Sequence, residues 1–183
     1  MRRLLILAAL LTVCPGAGAQ KFSVGTNLAD DARYGTLNAE ASLAVARRWS
    51  LYAGAKYNPF LFHDNNGEPF SARQRVFSAG ARYWPWNVYS GWWLSARAQY
   101  QEYNRGGIDA PETQEGDRYG IGVAAGYAYM LHPHLNVEIG AGLWGGYDRY
   151  TVYSCLVCGL TLDSGERSFL LPNDITLALV YVF

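Results

Sequence analysis

The stretch "YGIGVAAGYAYM", residues 119–130, constrains this chain more than any other. Tyr119, Ile121, Val123, Ala125, Tyr127 and Tyr129 alternate with Gly120, Gly122, Ala124, Gly126 and Ala128. A strand sends successive side chains to opposite faces. Such a strand carries large apolar groups on one face and almost nothing on the other. The pattern recurs seven more times, over 21–28, 36–46, 49–58, 75–84, 92–103, 135–147 and the terminal "DITLALVYVF". No sustained helical period with caps interrupts it.

Most of these segments hold about ten residues, the length a tilted strand needs to cross a bilayer. Their connections alternate in length. "ARRW", "WPWNVYSG" and "MLHPHL" are short, whereas "ADDARYG", "NPFLFHDNNGEPFSARQ", "NRGGIDAPETQEGD" and residues 148–174 are mostly longer and polar. The expectation is an all-β fold, an eight-stranded antiparallel up-and-down transmembrane β-barrel. The 14 Tyr and 6 Trp fit it, because amphipathic aromatics gather where lipid meets water. Trp49, Tyr83, Trp84, Trp86, Trp92, Tyr129 and Phe183 would form a girdle at the short-turn end, and Tyr57, Tyr100, Tyr119 and Tyr147 a second at the long-loop end.

A soluble barrel of lipocalin type would use the same alternation with its apolar face inward. The residues interleaved with the apolar set decide between them. They are Gly, Ser and Ala with Glu40, Lys56, Arg82, Arg97 and Glu138. Small and charged groups suit a narrow hydrated lumen, where charges pair to offset their desolvation. Glu40 and Glu138 are therefore expected to pair with members of Lys56, Arg82 and Arg97. An eight-stranded lumen is about filled by side chains, which favours a plugged interior over the alternative, a small pore or transporter for solutes.

The first twenty residues read as an export signal. Arg2 and Arg3 precede an apolar run from Leu4 to Val13, and Ala17-Gly18-Ala19 follows the helix breakers Pro15-Gly16. Residues 1–19 are read as a signal peptide and 20–183 as the barrel domain. A lipoprotein signal ending at Cys14 competes less well, because bulky Val13 stands where a small residue is expected. The remaining domain would carry 13 basic and 15 acidic side chains. No basic excess points to nucleic acid. The expected location is the cell outer membrane, with its lipid and lipopolysaccharide as partners.

Cys155 and Cys158 form one CxxC, read as a local disulfide in an oxidising compartment. Zinc would need about four ligands, and His63, His132 and His134 lie elsewhere. A thioredoxin-like role lacks its βαβ context. The acidic strings "HDNNGE" and "EYNRGGIDAPETQEGD" do not follow EF-hand spacing. No nucleophile, base and orienting group fall together, so no enzyme and no cofactor are expected.

Several strings, in this order, resemble the uncharacterised domain-of-unknown-function family numbered 3575. They are "GTNLADDARYGTLNAEASLAVARRWSLYAGAKYNPF", "ARYW", "YQEYNRGGI", "YGIGVAAGYAYML", "LNVEIGAGLWGGYDRY" and "YSCLVCG". The resemblance spans nearly all of 21–183 and implies an outer-membrane-type barrel of gut and oral Gram-negative bacteria, with no activity. Some members lie near fimbrial genes, which implies a structural or surface adhesion and assembly role with fimbrial or other surface proteins as partners. The ending "LLPNDI" of the last loop departs from the family pattern. The terminal strand, with Tyr181 and Phe183, also resembles the signal read by the barrel-assembly machinery of outer membranes.

Overall fold

The alternation read from the sequence becomes a closed wall. The computed structural model describes residues 21–63, 69–108, 111–156 and 159–183. The region read as a signal peptide, residues 1–19, lies outside them. Nine strands follow one another: β1 (Phe22–Asn27), β2 (Leu37–Ala46), β3 (Trp49–Asn58), β4 (Leu61–His63), β5 (Pro69–Tyr83), β6 (Gly91–Gly106), β7 (Thr113–His132), β8 (Leu135–Tyr153) and β9 (Thr161–Val182). A short helix, α1 (Leu28–Ala32), stands between β1 and β2. Neighbours in the sheet run β3-β2-β1-β9-β8-β7-β6-β5-β4, and β3 also pairs with β5. That last pairing closes eight antiparallel strands into a barrel. β4 continues the line of β3 along β5 in one register, Asn58↔Gln74 followed by Leu61↔Ser71, and so extends that position of the wall upward.

The apolar set faces outward. Leu43, Leu51, Phe77, Leu94, Ile121, Ile139 and Ile175 are all at least half exposed, while Ser42, Ser50, Ser95 and Glu138 on the opposite face are buried. This is the reverse of a soluble ligand-binding barrel. On β7 the belt runs from Tyr119 to Tyr129, ten residue steps. At about 3.3 Å per residue and a tilt near 40°, it projects to about 25 Å.

The seam shows how the ring closes. β1 pairs with β9 from Ser23↔Val182 to Asn27↔Ala178. Beyond that point the Asn27 side chain replaces a strand. Its Nδ2 donates to Ile175 O at 2.9 Å, and its Oδ1 accepts from Leu177 N at 2.8 Å. The same Oδ1 accepts from Ala29 N and caps α1.

Four expectations need correction. The strands β5 to β9 are longer than the sequence pattern showed, 15 to 22 residues against 6 to 10 for β1 to β3. The wall therefore stands higher on one side, and much of the stretch 148–174 is ladder, with Tyr150 opposite Gly165. Residues 28–32 are helical although no helix was expected. The alternation in β9 also changes phase. Gly142 faces Asp174 but Trp144 faces Leu171, so one extra residue is bulged at Pro172, which has no N–H to give the ladder. Even-numbered residues point inward below the bulge and odd-numbered ones above it. Finally, Trp84 does not join the outer girdle: it is fully buried. Tyr83 and Trp84 are consecutive and must point opposite ways. Tyr83 stays outside against Trp49, at 5.1 Å between ring centroids, and Trp84 turns into the barrel.

Small residues make room inside. A Cβ on Gly140 would stand 2.8 Å from both Trp93 Cζ2 and Ala125 O. Gly140→Ala should therefore cost about 1–3 kcal/mol through overpacking. Gly159→Ala, with nothing within 4 Å, is the matched control. Urea unfolding of the two refolded variants checks this, and equal midpoints would show that Trp93 yields freely.

Candidate functional site

The interior is a stack of side-chain layers, and the lowest is an apolar floor. The turn 84–90 folds under the barrel, fastened by Trp84 N to Arg48 O and Val88 N to Arg47 O, each at 2.9 Å. Tyr89 adopts a left-handed backbone, φ 63°, and Gly91 follows at φ 74°. That reversal, uncommon for a bulky residue, aims the Tyr89 ring up into the lumen. Trp84, Tyr89, Trp93, Ala124, Ala128, Val180 and Val182 pack into one cluster. Trp84 Nε1 donates to Ser50 Oγ at 3.1 Å and Asn136 Nδ2 to Tyr89 O at 2.8 Å, while the buried Trp93 Nε1 has no partner among the described residues.

Above the floor sits Arg82. Its Nη2 lies 2.7 Å from Glu40 Oε1 and its Nη1 3.2 Å from Glu138 Oε2. The guanidinium lies between the rings of Tyr52 and Trp93, at 4.6 and 4.8 Å from their centroids. One buried cation thus serves two carboxylates, Glu138 buried and Glu40 partly exposed, and two aromatic faces. Of the five charges expected to form one network, this brings three together. Lys56 pairs instead with Asp30 of α1 at 2.6 Å, and Arg97 with Asp174 at 2.5 Å. Asp30 falls outside the segments whose alternation was clear in the sequence, and Asp174 stands at the very start of the last of them.

A higher layer was missed altogether. Asp148, fully buried, accepts from Tyr103 Oη at 2.9 Å and pairs with Arg118 at 3.3 Å and Arg167 at 2.8 Å. Arg118 lies 4.0 Å over the Tyr103 ring. The signal was present: Glu138, Gly140, Gly142, Trp144, Gly146 and Asp148 form one unbroken inward series on β8.

Between these layers and the rim the barrel widens into a vestibule of about 460 Å³. The tall wall outside it is polar. Arg75 pairs with Glu102 at 3.2 Å and Arg149 with Glu166 at 2.7 Å there, while on the inner face Tyr150 Oη donates to Asp163 at 3.2 Å and carries Arg167 over its ring. Hydrogen bonds to Asp163 and Glu115 raise the pKa of the Tyr150 and Tyr153 phenols above the ordinary value, which keeps both as donors.

The other expected sites lie at the two ends. Tyr181 and Phe183 are exposed on the seam, their rings 4.8 Å apart, with Phe22 5.7 Å from Phe183 and His134 stacked 5.9 Å from Tyr181. Phe183 N also donates to Phe22 O at 2.8 Å, so the terminal residue is part of the closure. Cys155 is disulfide-bonded, and Cys158 lies outside the described residues.

No curated protein and no solved structure matches this chain. One family model does, over residues 4–183, which takes in the barrel from seam to seam together with its floor, its charged layers and its tall wall. The chain therefore belongs to the family described as a protein of unknown function, DUF3575.

Proposed function

We propose that this barrel is an integral protein of a bacterial outer membrane, anchored by its apolar belt and sealed through its lumen. The observation that carries the reading is the inverted polarity of the wall. An outward band of Leu, Ile, Val and Phe about 25 Å tall is bounded by aromatic rings, such as Trp92 with Tyr127 and Tyr119 with Tyr147. Above it the outer surface turns abruptly to Arg75, Glu102, Asp117, Arg149 and Glu166. In this reading the short-turn end faces the periplasm and the tall wall faces outward, next to lipopolysaccharide. The exposed Tyr181 and Phe183 edge is the feature offered to the assembly machinery. The role is structural, with no chemistry, and the wall above the membrane is where a surface or fimbrial partner would attach.

A sealed lumen distinguishes this reading from a pore. Trp84 and Tyr89 fill the floor, and the Arg82 layer closes the space above it. Protein reconstituted in planar bilayers should show no steady single-channel conductance while floating with lipid in a density gradient. Steady conductance steps would defeat the sealed lumen, and failure to float would defeat the anchor.

A further inference from the structure

The tall wall ends in an edge that the anchored barrel does not need. Residues 163–171 of β9 keep an unbroken register with β8, from Val152↔Asp163 to Trp144↔Leu171. On their other side no strand pairs with them among the described residues, because β1 reaches only Asn27↔Ala178. Asn27 stands in for a strand at Ile175 and Leu177, and above that point the edge is bare. At about 3.3 Å per residue the bare run is about 30 Å long. Folds normally blunt such an edge with Lys, Pro, a bulge or a covering element. No Lys, Pro or bulge falls within 163–171.

The side chains along the edge leave it approachable. Residues 163–168 are all exposed. Their charges are already answered from the β8 side: Arg149 holds Glu166 at 2.7 Å, Arg167 holds Asp148 at 2.8 Å, and Tyr150 Oη donates to Asp163 at 3.2 Å. Between them stand Ser164, Gly165 and Ser168, small enough for another backbone to come close. The space beside the edge has the dimensions of strands. β1 stops at Asn27 and β2 starts only at Leu37, whereas β4 carries the β3 position upward along β5. The upper wall therefore lacks the β1 and β2 places, three inter-strand steps between β9 and β4, or about 14 Å. The loop between β1 and β2 leans to the far side of this slot, with Tyr34 packed 6.0 Å from Phe62 and 6.1 Å from Phe70.

We infer that the bare edge of β9 binds an extended strand of a partner protein, antiparallel to β9, by main-chain pairing. Only a peptide backbone repeats donors and acceptors at the spacing of such an edge. A second copy of this chain does not meet that demand. Two barrels upright in one membrane, with strands tilted near 40°, would cross their β9 strands at about 80° and lose the ladder. The inference rests on the attachment role proposed above and says where attachment happens. It needs the edge and not the bilayer, so failure to float would remove the anchor and leave the edge to be judged alone.

The probe is a peptide with the sequence of residues 145–153, GGYDRYTVY. That segment already pairs with β9 on its other side, Asp148 opposite Arg167 and Arg149 opposite Glu166. Hydrogen exchange is followed by mass spectrometry on the full chain folded in detergent. At about 1 mM peptide, exchange of the edge amides within 163–171 should slow at least about tenfold. A scrambled peptide should leave it unchanged. Two N-methylated peptides test main-chain pairing, because methylation at alternate residues removes the donors of one peptide edge only. One set should abolish the protection and the other should keep it. Absence of protection by the unmodified peptide, equal protection by the scrambled peptide, or an equal effect of the two methylated sets would each overturn the inference. So would a wild-type dimer whose β9 edge amides are protected without peptide, since that assigns the edge to a second copy.

Discussion

Arg82→Met should cost the barrel about 3–5 kcal/mol of stability, the range for breaking a buried ion pair by removing one partner. The methionine chain fills much of the arginine's space between Tyr52 and Trp93, so lost packing is kept small. What remains is two carboxylates with no cation. Glu138 is almost wholly buried, and its Oε1 already lacks a partner. Adding Glu138→Gln to Arg82→Met should therefore recover a substantial part of the loss, and Glu40→Gln a smaller part, because Glu40 is about a third exposed. The measurement is a double-mutant cycle in urea on refolded protein. Additive losses would mean that the carboxylates do not depend on Arg82. A cycle built on Lys56 or Arg97 with Glu138 should show no such coupling, since those cations belong to Asp30 and Asp174.

The fold could be read from sequence where one physical constraint acted alone. Between the aromatic rings every wall residue faces either an apolar exterior or a crowded lumen, so "YGIGVAAGYAYM" states both faces and the strand at once. Above the rings that constraint lapses. Both faces of the tall wall are wet, "TQEGDRYG" shows no alternation, and the strand carrying it was invisible. The phase change at Pro172 hid the inward positions of Arg167 and Phe169 in the same way. The lumen charges were found because they interrupt a series of Gly, Ser and Ala. Their partners were found only in part, because sequence period assigns a face but not a height. Glu40 and Arg82 meet through wall register, while Asp30 reaches Lys56 from a helix that no periodic signal announced. Trp84 was misplaced for a related reason. A turn rich in Trp and Tyr suits either a girdle or a plug, and only the parity of Tyr83 against Trp84 separates them.

Val123→Arg should destabilise the barrel in lipid by about 2–4 kcal/mol, as charges on a barrel's lipid face do at mid-depth. Val123 is half exposed on the outer face of β7, midway between Tyr119 and Tyr127, with Ala96 and Leu143 as its cross-strand neighbours. No acidic side chain neighbours it in register on the belt, so the guanidinium must reach for the interface or draw water in. Depth is the discriminating variable. Tyr129→Arg, on the same strand and face but at the short-turn ring, should cost only about 0–1 kcal/mol, because headgroups and water are within reach. Unfolding by urea from vesicles supplies both values. A soluble barrel would abolish the ranking: in water an arginine at exposed Val123 or Tyr129 replaces an apolar group and raises solubility at little cost. Equal, small effects at the two positions would thus remove the membrane reading, whereas a gap of about 2 kcal/mol or more places the belt of β7 across the hydrocarbon, with Val123 at its centre.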